Sequence, residues 1–275
     1  MTQVSLARKI LIVLVAVVFF IPLWWLTVSA FRPTQSVFRY ISSIGFFTFW
    51  PDEWTVKNIV GVWSSPFRLA IWNSVFVSTI TVVIGLALCS MAAFALAVIE
   101  FPFRNAIFVV MVISFLIPLD AIAVPLYSIM RSFGLQDSYT GLILPGIGNG
   151  LAVFLLRQFF LAIPKEIREA AVVDGMGWFG IYYSIYLPLS VPAMVSAALI
   201  LFVFQWQSYL WPLLIAPGAD YKVAAVAIAQ YSDGYQTDYG LIFAAALFIA
   251  VIPMAVLTIL QRYYSASISA TGSKE

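Results

Sequence analysis

Residues 162–190 read AIPKEIREAAVVDGMGWFGIYYSIYLPLS, and this stretch decides how the rest of the chain is counted. Lys165, Glu166, Arg168, Glu169 and Asp174 all lie within it. One charge at mid-bilayer costs ~2.5–3.5 kcal/mol, so five together would cost on the order of 15 kcal/mol. The stretch therefore does not cross a membrane; it lies at a membrane face and separates the spans on either side of it. Its local signals are helix, turn, helix. Pro164 suits a helix start, where a missing N–H costs nothing. Lys165 and Glu169 are one turn apart and can pair. Asp174-Gly175 ends the first helix, with Gly free to take the left-handed cap. An aromatic helix follows (Trp178, Phe179, Tyr182, Tyr183, Tyr186) and is expected to stop at Leu187-Pro188.

The flanking sequence is oily. Of 275 residues 63% are apolar and 9% charged, with 23 Phe, 13 Tyr and 9 Trp. Soluble domains run nearer ~45–50% apolar and ~25% charged, so this chain cannot cover itself with polar surface. Fifteen Gly and one Cys exclude collagen-like and disulfide-rich classes. The absence of His removes His-based triads, His bases and His ligands. A net charge of +2 gives no footprint for nucleic acid. The lone Cys89 sits in an apolar run and reads as a small buried residue.

What remains is an all-α, polytopic membrane protein. Apolar segments near the ~20 residues needed for a ~30 Å slab fall at residues 9–31, 71–98, 107–128, 141–161, 191–215 and 241–260. The first follows Arg8 and Lys9 but is too long for a signal peptide and reads as a retained anchor. No linker divides the chain 1–275, which reads as one transmembrane domain of six helices. An even number of spans puts both termini on one face. With the N-terminus inside, eight Lys/Arg lie inside (Arg8, Lys9, Arg104, Arg157, Lys165, Arg168, Arg262, Lys274) and six outside. That bias places both ends in the cytoplasm of a plasma membrane. Asp233 is counted among the outer acids.

A short surface helix with small residues and a projecting carboxylate suits docking in a partner's groove; an amphipathic helix resting in headgroups is the other reading. The particular string tips the balance. Glu169-Ala170-Ala171, Asp174-Gly175 and Ile185-x-Leu187-Pro188 with Pro192 resemble the EAA motif of binding-protein-dependent ABC import permeases. The carbohydrate-uptake branch, with its maltose- and glycerol-phosphate-type permeases, is matched at Pro164-Lys165-Glu166-Ile167, Ile117-Pro118-Leu119, Val124-Pro125-Leu126-Tyr127, Gly134-Leu135 and Phe154–Phe160. Trp54-Thr55, Asn58, Asn73-Ser74, Gln261–Tyr264 and Gly272-Ser273-Lys274 are similar to it as well. The chain departs at Trp206-Gln207, where the branch usually has Trp-Asn, and at Met176, where Ala is usual.

The resemblance implies a permease that pairs with a second, similar permease on two ATP-binding subunits, with an extracellular solute-binding protein delivering a sugar or sugar-like solute. ATP and Mg would sit on the partner ATPase. No G-x-x-x-x-G-K-[ST] run exists in this chain, so the expectation is a transport subunit with no cofactor of its own. The resemblance further implies that residues 162–190 form a cytoplasmic coupling loop, with Glu169 facing a basic partner, Gly175 permitting the bend, and Ala170 and Ala171 where larger side chains would clash. Leu187 and Pro188 complete the motif.

The solute path needs hydrogen-bonding groups and aromatic faces. Gln205, Trp206, Gln207, Ser208, Tyr209 and Trp211 supply them in the fifth span. Helical spacing puts Gln205 with Tyr209 and Gln207 with Trp211. An aromatic belt at the outer headgroups is the alternative. Asp120 lies in MVISFLIPLDAIAVPLY, where an intramembrane acid marks function; position near a wet helix end is the alternative. Pro118 and Pro125 flank Asp120 and are expected to break the helix. An ion-gradient-driven secondary transporter is the competing class. It would leave the charged stretch unexplained and would normally show more embedded acids or broken-helix repeats.

Overall fold

A computed structural model describes residues 6–40, 44–232 and 237–271, with side chains described to residue 261. Asp233, Gly272, Ser273 and Lys274 lie outside the described residues, as does the side chain of Arg262. The described chain is helical: α1 Leu6–Ala30, α2 Phe46–Phe49, α3 Lys57–Ser64, α4 Phe67–Val98, α5 Arg104–Leu116, α6 Ala123–Ser132, α7 Tyr139–Ile143, α8 Gly150–Leu161, α9 Lys165–Val173, α10 Trp178–Ile181, α11 Leu187–Leu189, α12 Val191–Gln207, α13 Leu210–Ile215, α14 Ala224–Ala227 and α15 Tyr239–Thr271. Among the described residues, pairing of extended chain is limited to one isolated bridge, Ser232 with Thr237.

Three segments are long and apolar enough to cross a membrane unbroken: Leu6–Ala30, Phe67–Val98 and Tyr239–Gln261. Three more pass the same test as bent pairs: Arg104–Leu116 with Leu119–Ser132 (86°), Tyr139–Gly146 with Gly150–Leu161 (45°), and Trp178–Leu189 with Val191–Gln207 (85°). Six crossings are thus available, as the apolar runs predict, but three are not straight.

Proline explains two of the irregularities. Pro118 lacks an N–H and cannot continue α5, which ends at Leu116. Pro125 breaks nothing, contrary to expectation. It occupies the first turn of α6, where its ring meets no preceding carbonyl. The span predicted as 191–215 is interrupted at Ser208, which adopts φ −61°, ψ 125°. Pro212 lies four residues on, and in a continuous helix its ring would strike the Ser208 carbonyl. The aromatic helix also departs from expectation, since it does not stop at Leu187-Pro188. Tyr182–Tyr186 forms a π turn in which the Leu187 N–H reaches the Tyr182 carbonyl. The chain then runs through Pro188 and bends at Ser190.

By internal contacts the chain forms two compact units. The first comprises Met1–Ile71 and Ala227–Ile252. Within it α1 is apolar and exposed over most of its length, as a lipid-facing helix is. Its C-terminal end is stapled by polar side chains. Buried Arg32 donates to the Phe47 and Thr48 carbonyls, Asn58 donates to the carbonyls of Ala30 (3.1 Å) and Arg32 (2.7 Å), and the Trp24 indole donates to the Phe49 carbonyl at 2.8 Å. Asn58 is therefore a structural residue. Nearby, the Tyr40 hydroxyl donates to Asp52 at 2.6 Å and holds that carboxyl below the usual range.

The second unit comprises Trp72–Val226 and Pro253–Glu275. Its main core joins Ala93, Phe94 and Val98 of α4 to Val153, Leu156 and Phe160 of α8 and to Ala197 and Leu201 of α12. The rings of Phe94, Phe160 and Tyr186 meet edge to face and Tyr182 lies tilted against Phe94, with centroids 5.0–6.4 Å apart. A second cluster gathers Val77, Met130, Leu142, Trp211 and Ile215.

Candidate functional site: the coupling elbow

The charged stretch folds as a nine-residue helix, α9, followed by a tight turn and the aromatic segment. Pro164 (φ −55°, ψ 135°) precedes the first helical residue, and Glu166 sits in the first turn, where a carboxylate favours the helix dipole. The end is a Schellman cap. The Gly175 N–H donates to the Val172 carbonyl (3.0 Å) and the Met176 N–H to the Ala171 carbonyl (2.9 Å). Gly175 has φ +80°, and a Cβ there would meet nothing within 4 Å. Backbone conformation, not space, selects glycine. Gly175→Ala is expected to cost the cap ~1–2 kcal/mol, the price of a left-handed conformation for an L-residue. Amide hydrogen exchange over residues 171–176 should accelerate accordingly, and Gly175→Asn should recover part of the protection.

The side chains of α9 divide by face. Ala171 is 4% exposed and packs in the core with Ile163, Ile181 and Tyr182. Glu169, Ala170, Asp174 and Gly175 are exposed, with Val173 at 87% and Phe179 at 70% beside them. Leu187 is half-buried and Pro188 exposed. The two alanines of the motif thus point to different places, one into the helical bundle and one outward. The expected Lys165–Glu169 pair does not form among the described residues. Glu169 meets Arg168 instead, at 3.6 Å.

Arg168 belongs to a group that sequence reading counted only as interior charge. Its guanidinium donates to the Val98 carbonyl at 3.3 Å. Arg157 donates to the Leu96 carbonyl at 3.1 Å, and Arg104 to Ile99 at 3.2 Å. Three arginines from separate segments therefore satisfy carbonyls that the end of α4 leaves free, each contact adding ~0.3–1 kcal/mol. Arg157 also donates to Asn105 (3.3 Å) and lies 4.1 Å over the Phe108 ring. A buried hydrogen bond of 2.6 Å between Ser90 and the Tyr182 hydroxyl ties the aromatic segment to α4 as well. The elbow is fastened to the bundle on one side and exposed on the other.

The residues expected on the solute path are brought together only in part. Asp120 is exposed in the 3-10 turn Leu119–Ile122, which packs against α13. Gln205 is half-buried near the end of α12, and Gln207 and Tyr209 are exposed. The break at Ser208 removes the helical register that would have paired Gln205 with Tyr209 and Gln207 with Trp211. Trp211 is buried in the core, its indole donating to the Gly141 carbonyl at 3.0 Å. Among the described residues no group of three or more His, Cys, Asp or Glu could hold a metal ion.

Comparison with known proteins places this architecture. Residues 85–270 match the family described as binding-protein-dependent transport system inner membrane component. The chain is 32% identical over 256 residues to the arabinooligosaccharides transport system permease protein AraQ of Halalkalibacterium halodurans, covering 92% of this chain and 90% of that protein. It is 34% identical over 224 residues to the sn-glycerol-3-phosphate transport system permease protein UgpE of Yersinia enterocolitica, covering 78% and 79%. A crystal structure of a bacterial ABC transporter involved in import of the acidic polysaccharide alginate contains a chain of the same fold, with TM-score 0.80 at 18% identity, covering 96% of this chain and all of that one. The elbow, the crossings and these matches agree that the chain belongs to the binding-protein-dependent inner membrane components, the permease subunits of ABC importers.

Proposed function

We propose that this chain forms half of the path by which a sugar or sugar-like solute crosses the plasma membrane, paired with a second, similar permease. The solute arrives on an extracellular binding protein, and two ATP-binding subunits with ATP and Mg drive the cycle. Both termini lie in the cytoplasm, as the Lys/Arg distribution favours. The observation that carries the reading is the elbow. One of its faces is locked to the bundle by Ala171 and Arg168, while Glu169 and Ala170 are free for a partner. Coupling requires a contact that differs between two states, and Glu169 is its charged member. Ala170, Asp174, Gly175, Leu187 and Pro188 shape the docking surface. Asp120, Gln205, Gln207 and Tyr209 belong to the solute path. The relatives that transport arabino-oligosaccharides and glycerol phosphate support the substrate class.

The test is uptake by proteoliposomes holding the full complex. The solutes are arabinotriose and glycerol 3-phosphate, each with its receptor. Uptake of at least one should need ATP and the binding protein and ignore an ionophore. Uptake that collapses with the ion gradient and persists without ATP would establish the secondary-transporter class instead.

A further inference from the structure

The short helix α2 sits where water is scarce. Arg8 and Lys9 mark the near edge of the first span, and Trp24 follows Lys9 by fifteen residues of α1. At ~1.5 Å per residue that is a climb of ~22 Å, which leaves ~8 Å to the far edge of a ~30 Å apolar slab. Any tilt of α1 shortens the climb and leaves more. The Trp24 indole donates to the Phe49 carbonyl at 2.8 Å, and its ring stacks on Trp50 with centroids 6.0 Å apart. α2 is thus held at the depth of Trp24, in the leaflet away from the N-terminus, although it lies between the first two spans and belongs to neither.

Its backbone is finished for a dry site. A loop in water can leave its carbonyls to solvent. Here every α2 carbonyl has a partner from the protein. Phe46 accepts from the Trp50 N–H at 3.0 Å, Phe47 and Thr48 from the buried Arg32 guanidinium, and Phe49 from Trp24. The Gly45 N–H donates to the Thr48 hydroxyl at 3.0 Å, which itself donates to the Tyr40 carbonyl at 3.0 Å. Irregular backbone survives in a leaflet only when it is satisfied in this way.

The side chains are arranged the opposite way. Thr48 is the buried member of α2, while Phe46, Phe47 and Phe49 are exposed, Phe46 at 71%, and exposed Trp50 follows them. This apolar surface continues that of α1. Phe20, on the exposed stretch of α1, stacks on Trp24 with centroids 6.2 Å apart, Trp24 stacks on Trp50, and Trp50 meets Trp54 edge to face at 5.4 Å. A coat of lipid along α1 therefore runs on without a gap over α2. Aromatic rings are the side chains that favour this zone between hydrocarbon and headgroups.

We propose that α2 is a lipid anchor: a one-turn aromatic shelf, covered by phospholipid acyl chains of the far leaflet just below the headgroups, that fixes the height and tilt of α1. The occupant is the bilayer and not a protein, because the shelf prolongs a lipid-facing surface and lies at hydrocarbon depth. This role is separate from import and does not depend on which solute is carried.

A depth measurement on the complete importer, in vesicles of phosphatidylethanolamine and phosphatidylglycerol, tests it. Cys89 is 2% exposed, so a nitroxide thiol reagent should leave the native chain unlabelled. Phe46→Cys presents a thiol on the shelf, Val18→Cys one on lipid-facing α1, and Glu53→Cys one on the exposed polar segment. Oxygen concentrates in hydrocarbon, and the nickel complex of ethylenediaminediacetate in water. The nitroxide at Phe46→Cys should resemble that at Val18→Cys: oxygen should relax it severalfold more strongly than nickel does, with the order reversed at Glu53→Cys. Phe49→Cys, three residues along the same helix face, should repeat the order seen at Phe46→Cys. Nickel access at Phe46→Cys equal to that at Glu53→Cys would place the shelf in water and overturn the anchor. Weak relaxation by both reagents at Phe46→Cys and Phe49→Cys would mean that a protein covers the shelf, and would overturn it too.

Discussion

Glu169→Lys inserts but fails to transport. The side chain of Glu169 is 66% exposed, and its partner within the chain is the adjacent Arg168 at 3.6 Å. An exposed pair of that kind is worth ~0–1 kcal/mol, so the permease fold barely registers the change. On the coupling proposed above, a partner ATPase with a basic group facing Glu169 would register it. Losing one member of a buried, hydrogen-bonded charge pair costs ~2–5 kcal/mol, and like charges add repulsion. Each 1.4 kcal/mol is tenfold, so ATP-driven uptake should fall at least ~30-fold. Membrane insertion, measured by expression and protease protection, should match wild type. Stimulation of ATPase by the binding protein should disappear with uptake. Wild-type uptake by this variant would remove Glu169 from the coupling contact.

The second large effect separates two adjacent alanines. Ala171 is 4% exposed, wedged among Ile163, Ile181 and Tyr182. Ala171→Leu adds three carbons to a filled space, and overpacking of this order costs ~1–3 kcal/mol. That penalty falls on the seating of α9, so the variant should show faster hydrogen exchange along α9 and a lower melting temperature in detergent before any partner is added. Ala170 is exposed. Ala170→Leu should melt like wild type and lose only partner binding, read by co-purification of the ATP-binding subunits. Equal melting behaviour in the two variants would contradict the division of faces.

These two alanines mark where the amino-acid sequence is legible and where it is not. That the chain crosses a membrane several times was legible, because ~20 apolar residues in a row suit a membrane span and little else. The elbow was legible from five charges that hydrocarbon would not tolerate and from a Gly at the turn. Which motif alanine turned inward was not, because that depends on where Arg168 fastens the helix to α4. The break at Ser208 was hidden because its cause, Pro212, lies a full turn downstream. Pro125 misled for the converse reason, since a proline in a first turn leaves a helix intact. The glycine break at residues 146–150 was overlooked inside an apolar run, though three glycines in five residues weaken a helix by ~1 kcal/mol apiece.

The three arginines on the end of α4 hold the elbow by donating to backbone carbonyls rather than by pairing with carboxylates. Dissolved ions screen exposed charge pairs strongly and part-buried hydrogen bonds much less. Raising ionic strength will therefore slow the charge-steered approach of a neighbouring subunit to Glu169 long before it loosens the mount on which Glu169 stands. Concentrated electrolyte should slow assembly of the complex while leaving this subunit in its native shape.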